Sequence, residues 1–387
     1  MKKIIKINKK RAYSTYDMLL YLYDNKKHPF ENPVVPQAPE NLPHTLIYGS
    51  RQHALYLFYI CLYMRGRINS FQAFTGFKKL YLSHPQIFEP HIVNANPAEY
   101  YNIILNALRS TGNLAVNAAN NATFWIKNSK ELDQGCWGND PRNIFNYVNL
   151  RNRNKPEAYN LLCSNIIRKS TKKDFGFYGF REKMVSMLCY FYVESGIIPH
   201  FLFPSPIDFH ILRIHCNQEI IKVAEIKTRG VVRDMLLPAC RQLTASYCKE
   251  KKINPVKLAD ILWLFSQYTC RENPNSDRSK IKPDEKGNKK RDRQSEIEIS
   301  NVIWTKNNIY KYHNSCAICP LNVHCQGHVS SVPYYSSGKI RIIRNQTPDD
   351  QLLFPIAKRS KKTNINKKNI QKKLPTPNLN FSIFDQK

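Results

Sequence analysis

Four cysteines near the C-terminal end carry residue types and a spacing that do chemistry: Cys270, Cys316, Cys319 and Cys325. The last three read Cys-x2-Cys-x5-Cys around a turn-forming Pro320. Four thiolates in one neighbourhood hold either a cubane iron–sulfur cluster or a tetrahedral zinc. Two ionisable residues upstream complete the set. Lys183 follows the glycine-containing turn Phe175-Gly-Phe-Tyr-Gly179-Phe and opens an amphipathic segment with Val185, Met187 and Leu188 on its apolar side. Amides at such a helix start grip a phosphate without reading base sequence. A lysine held beside them and partly desolvated is a nucleophile in its neutral form. Asp208 lies in Pro206-Ile-Asp208-Phe-His-Ile-Leu-Arg213. There Pro206 marks a helix start and Asp208 is placed close to its N-cap. By themselves, Asp208 reads equally well as a plain cap and Lys183 as a surface lysine.

These residues need a scaffold. The chain has 387 residues, 42% of them hydrophobic, which suffices for a sizeable core. Its net charge is +30, from 59 basic and 29 acidic residues. That imbalance makes a polyanion the expected partner, nucleic acid first and an anionic membrane second. The longest apolar run, Ala54 to Met64, falls well short of the roughly 18 residues of a membrane span. The N-terminus lacks a signal-peptide core, so a cytoplasmic, nucleoid-associated protein is expected. Eleven cysteines, an odd count in a long chain of this kind, argue against a disulfide framework. Cys61, Cys163, Cys189 and Cys240 sit among apolar residues and read as small buried hydrophobes, and Cys136, Cys216 and Cys248 as the same.

The periodicity is mostly helical, and few segments alternate with period two, so an all-α fold is predicted. Residues 1–45 read as a basic, Pro-rich extended arm. Residues 46–96 read as a helical extension, with Leu55, Tyr56, Phe58, Tyr59, Leu62 and Tyr63 facing a core. A helical catalytic domain is expected over 97–215, with breaks at Asn139-Asp-Pro141 and Lys155-Pro156. A helical cluster domain follows over 216–330. Within it, 271–310 mixes charges of both signs with little apolar content and reads as a largely disordered insertion. Residues 331–387 read as a basic tail.

Taken in order, these features resemble the helix-hairpin-helix base-excision DNA glycosylases of the endonuclease III and adenine glycosylase superfamily. Phe177-Tyr-Gly179-Phe-Arg181-Glu-Lys183 falls where that family has its hairpin Leu-Pro-Gly-Val-Gly-x-Lys, and Ile207-Asp208-Phe-His210 matches its Val-Asp-Thr-His. The resemblance covers roughly residues 100–330. It implies a two-domain all-α architecture, Asp208 as the catalytic carboxylate and Lys183 as the lyase nucleophile. It also implies Gly179 and Arg181 at the DNA backbone, and Cys270, Cys316, Cys319 and Cys325 as [4Fe–4S] ligands. Asn113, in Thr111-Gly-Asn113-Leu-Ala-Val, falls near the position of the family's polar wedge. The activity implied is base excision with AP-lyase strand cleavage on double-stranded DNA, by a monomer. Departures are Tyr178 for the hairpin proline, Arg181 for its second glycine, and the long stretch 271–315 between the first two cysteines. A register slip would put Arg181 at the nucleophile position and leave no lysine there.

The terminal Asn380-Phe-Ser-Ile-Phe384 resembles the peptides with which bacterial repair enzymes grip the sliding clamp, with Asn380 for the usual Gln. Two other readings stay open: a non-catalytic nucleic-acid-binding protein with a structural zinc or iron–sulfur module, and a membrane-surface protein using its basic tail.

Overall fold

The computed structural model describes residues 5–64, 68–146, 156–168, 176–223, 235–269, 281–282, 297–302, 319–321, 325, 332–336 and 339–345. The fold is predominantly α-helical, as the periodicity predicts. Twelve α-helices are present among the described residues: α1 Lys9–Asp24, α2 Arg51–Tyr63, α3 Ser70–Ser83, α4 Pro90–Ala95, α5 Pro97–Ser110, α6 Ala118–Gln134, α7 Asn143–Asn146, α8 Pro156–Ile166, α9 Glu182–Glu194, α10 Phe209–Asn217, α11 Leu237–Lys251 and α12 Pro255–Tyr268.

Two hydrophobic cores organise these helices. The first is built on α2, in which every residue from His53 to Tyr63 is buried. A helix without a polar face is stable only when other helices enclose it. Aromatic rings do much of the enclosing: Tyr59 stacks on Trp125 of α6 at 4.2 Å, and the Trp125 indole N–H donates to the Ile87 carbonyl at 2.8 Å. The described members of this core run from Leu42 to Phe203 and include Val256 and Ala259 of α12. The boundary expected at 96/97 therefore falls inside one packed unit, and residues 46–96 are no appended extension. The apolar run of α2 is the cause, because it has to be the centre of something.

The second core joins the start of the chain to α10, α11 and α12. Here the expected extended arm is corrected. Residues 9–24 form α1, with Ala12, Tyr16, Leu19 and Leu20 buried at helical spacing. The Asn8 side chain caps it, accepting from the Arg11 amide at 3.0 Å. Strand β1 (Ile5–Ile7) pairs antiparallel with β2 (Ile221–Val223), which ties the N-terminus to the segment after α10. Lysines and prolines around this helix masked a short apolar stripe that has a partner only in the folded protein.

Beyond α12 the described residues include a four-stranded sheet from β3 (Ile281–Lys282), β4 (Ile297–Val302), β5 (Val332–Ser336) and β6 (Lys339–Asn345), in the order β3-β4-β6-β5. β4 runs parallel to β6, while β3 pairs antiparallel with β4 and β5 with β6. These strands lie where a disordered insertion and a tail were expected. Ile297-Glu-Ile and Lys339-Ile-Arg-Ile alternate with period two, a signal that the charged composition of their surroundings obscures. The basic run 358–373 and the peptide Asn380–Phe384 lie outside the described residues. Among the described residues no helix is long and apolar enough to cross a membrane.

Candidate active site at the hairpin and the start of α10

The turn before α9 is held from three sides. The Phe177 amide donates to the Ile166 carbonyl at the end of α8, at 2.9 Å. Phe177 and Phe180 are buried against Phe58 of α2, at ring distances of 5.0 and 5.1 Å. Asn128 of α6, fully buried, clasps the backbone of Tyr178: its Oδ1 accepts from the Tyr178 amide at 2.7 Å and its Nδ2 donates to the Tyr178 carbonyl at 3.0 Å. Gly179 turns the chain with φ of +82°, which glycine adopts without strain. Gly176 also has positive φ, +103°, and a Cβ there would press tightly on the Arg168 amide nitrogen at 3.1 Å.

Arg181 occupies the N-cap of α9 with φ −134° and ψ 173°. That is extended backbone, so the replacement of a glycine there costs nothing conformationally. The Arg181 side chain is exposed and makes no capping hydrogen bond to the first turn of α9. Two cations border the same turn. Lys127 Nζ lies 4.7 Å and the Arg168 guanidinium 4.4 Å from the centroid of the Tyr178 ring. Cation–ring attraction holds them beside the hairpin. No local sequence signal marks Lys127, Asn128 or Arg168, because they meet Tyr178 only through tertiary packing.

Lys183 is half-buried in the first turn of α9. Its ammonium acts on Cys61 near the end of α2: burial pushes the Cys61 thiol up, and the Lys183 charge works against that. The Cys61 thiol donates to the Met184 carbonyl at 3.2 Å.

Asp208 is the N-cap of α10. Its Oδ1 accepts from the amides of His210 at 2.8 Å and Ile211 at 3.1 Å. Both bonds use one oxygen, and among the described residues Oδ2 accepts no hydrogen bond. His210 Nδ1 meets Ser266 Oγ of α12 at 3.2 Å, and its ring stands edge-on to Trp263 at 6.3 Å. Trp263 reaches Phe71, at the start of α3, across 6.1 Å. The residues Ile198, Phe201, Leu202, Phe203 and Ile207 between α9 and α10 are buried, so this long connection is packed rather than loose.

Asn113 is exposed in the turn after α5. Its neighbours Leu114 and Val116 accept from the Tyr63 hydroxyl at the end of α2. No contact among the described residues ties Asn113 to Lys183 or Asp208. Lys183 acts on Cys61 and the 113 turn meets Tyr63, both in the last turn of α2, while the ring contacts from His210 run through Trp263 to Phe71 at the start of α3.

Of the four cysteines, Cys319 is buried in the second core with Leu321, and Cys325 is half-buried. The Gln218 side chain at the end of α10 donates to the Leu321 carbonyl at 3.1 Å, so this segment docks on the helix that Asp208 caps. Cys270 and Cys316 lie outside the described residues. Among the described residues no three His, Cys, Asp or Glu side chains gather as a metal site. The described pair, Cys319 and Cys325, offers thiols at the edge of an apolar core, a donor type that suits an iron–sulfur cluster and zinc alike.

No protein-family model matches the chain, and no curated protein or solved structure does.

Proposed function

We propose that this chain is a DNA N-glycosylase with lyase activity, which flips a damaged or modified base from duplex DNA and removes it. The observation that carries the reading is the Asp208 cap. Two amides fix Oδ1 and hold the carboxylate in one orientation, with Oδ2 left for chemistry. The Gly179 turn and α9 precede it, with Lys183 in the first turn of α9.

The mechanism follows from these groups. The first-turn amides of α9, with Arg181, Lys127 and Arg168, hold backbone phosphates. This contact positions the DNA without reading its sequence. Extruding the target nucleotide costs a few kcal/mol, less for a damaged pair. Lys183, as the neutral amine, attacks C1′ of the flipped nucleotide. A bond forms between Nζ and C1′, and the glycosidic bond breaks with its electron pair leaving on the base. The Asp208 carboxylate faces the positive charge that develops on the sugar and takes the proton released by the nucleophile. Opening of the sugar ring leaves a Schiff base to Lys183, from which β-elimination cuts the strand. In a Lys183-independent route, water replaces the amine and only the base is lost.

Cys270, Cys316, Cys319 and Cys325 would hold a [4Fe–4S] cluster, whose contribution there is a four-point crosslink of the segment docked on α10. The C-terminal peptide 380–384 would tether the enzyme to a sliding clamp.

The test is incubation with a panel of duplexes carrying oxidised, alkylated or mispaired bases, with borohydride added to reduce any Schiff base. Base release with a covalent protein–DNA adduct supports the reading. Tight duplex binding with neither base release nor adduct across the panel favours the non-catalytic alternative.

A further inference from the structure

α11 belongs to the second core, through Ala239, Cys240, Leu243, Tyr247 and Cys248. Yet one face of it touches both segments that carry the proposed chemistry. Arg241 pairs through Nη2 with Glu182, the residue between Arg181 and Lys183. The Arg241 side chain is 14% exposed, and Glu182 is its described partner. One turn further on, Thr244 is fully buried. Its hydroxyl donates within its own helix, to the Arg241 carbonyl at 3.0 Å or the Cys240 carbonyl at 3.2 Å, and accepts from the Ser205 amide at 3.3 Å. From Ser205 the chain runs through Pro206 and the buried Ile207 to Asp208. Proline fixes one backbone torsion of that short strut, and burial of Ile207 fixes its direction. Positions three apart lie on the same helix face, about 4.5 Å apart along the axis.

We infer that Arg241 and Thr244 are positioning residues, a ruler on α11 that sets Lys183 against Asp208. The inference rests on the glycosylase reading for what the two carry. Its physical basis is independent of that reading. Lys183 rides on the first core and Asp208 on the second, so their separation depends on what bridges the cores. Arg241 bridges directly, with a largely buried charge that pairs with one carboxylate. Glu182 is 44% exposed, so water screens the pair and its effect lies in fixing direction more than in energy. Thr244 anchors the other segment through a buried amide that has no water to turn to. A reaction between two groups that must align is sensitive to this spacing, and a displacement of about 1 Å costs on the order of a hundredfold in rate.

The experiment uses the full chain and three variants: Arg241→Gln, Thr244→Val, and the charge reversal Glu182→Arg with Arg241→Glu. Two readouts are taken. Hydrogen–deuterium exchange follows peptides covering 176–186 and 200–212. Single-turnover base release and borohydride trapping follow the chemistry, with duplex affinity measured separately. Arg241→Gln is expected to speed exchange over 176–186, and Thr244→Val at Ser205. Each lowers the single-turnover rate about tenfold to a hundredfold with affinity changed less than about twofold. The charge reversal restores most of the rate, which a merely structural role for Arg241 does not require. Unchanged exchange in both single variants overturns the ruler whatever the activity. Changed exchange with wild-type rates overturns it as well. A wild-type protein that releases no base from any duplex sinks the glycosylase reading instead, and the exchange data then still decide whether α11 holds the two segments.

Discussion

Replacing Asn128 by alanine tests how the hairpin is held. Asn128 is fully buried on α6 and makes two hydrogen bonds to one residue, accepting from the Tyr178 amide at 2.7 Å and donating to its carbonyl at 3.0 Å. Alanine removes both partners and leaves a backbone donor and acceptor behind. An orphaned buried polar group costs about 1–3 kcal/mol. Tyr178 is half-buried, so water recovers part of that loss, and about 2–3 kcal/mol in total is expected. Asn128→Asp separates the two bonds. It keeps an acceptor for the Tyr178 amide but sets an oxygen against the Tyr178 carbonyl, so it is expected to be no better than alanine. Thr123→Ala is the control on the same helix: among the described residues the hydroxyl of the half-buried Thr123 bonds to the Ala119 carbonyl one turn back, so the change stays within about 0.5 kcal/mol. Urea unfolding followed by tryptophan fluorescence, with Trp125 in the adjacent core, gives the numbers. The hairpin amides are also the proposed phosphate contacts, so Asn128→Ala should weaken duplex binding. An Asn128→Ala protein as stable as wild type, with unchanged affinity, would refute the view that this clasp sets the turn.

Asp208→Asn should abolish base excision while duplex affinity is kept or improved, since one negative charge near phosphate is removed; normal turnover would show that another carboxylate acts. Lys183→Gln should eliminate borohydride-trapped adducts and strand cutting, with slow base release through water persisting. Trapped adducts that survive would identify a different amine. Two buried histidines should work against stability in acid. Burial holds His215, bonded to the Tyr16 hydroxyl at 2.5 Å and the Ile211 carbonyl at 2.8 Å, down at about 4. The unfolded chain therefore binds the proton first, so this group's contribution is complete above 6.5 and is lost as pH falls from 6.5 towards 4. The loss amounts to about 3 kcal/mol. His53, also lowered to about 4 by burial, acts in the same direction. Glu194 and Asp260 oppose them: burial raises Glu194 to about 7, so its contribution is lost as pH rises from 4.5 to 7, and burial followed by the Glu194 charge raises Asp260 well above the usual carboxylate range. Urea titrations from pH 4 to 8 should therefore show a steeper acid-side loss in Glu194→Gln than in wild type, and identical profiles would count against these assignments. Protein prepared without oxygen should carry about four irons per chain and a brown colour; stoichiometric zinc without iron or sulfide would replace the cluster by a zinc site.

Helical character was legible along most of the chain, because the 3.6-residue period of apolar positions survives without knowledge of partners. The same holds for the start of α10, where Pro206 and Asp208 carry the capping signal in three residues, and for the Gly179 turn. These are local features, and local stereochemistry decides them. The partition into two cores was decided elsewhere. α1 shows only a short apolar stripe, and it becomes part of the second core because α10, α11 and α12 offer it a surface. α2 shows hydrophobicity on all sides, but only the surrounding helices reveal it as the centre of the first core rather than a helix in an appendage. The clasp of Asn128 on Tyr178 and the cations at positions 127 and 168 join residues from separate helices, and no spacing in the chain encodes them. Chemistry at Lys183 and Asp208 depends on both levels. Residue type and local turn supply the amine and the capped carboxylate. On the proposed reading, the distance between them is set by packing of the two cores and by Arg241 and Thr244 on α11, whose contacts to Glu182 and Ser205 exist only in the folded chain.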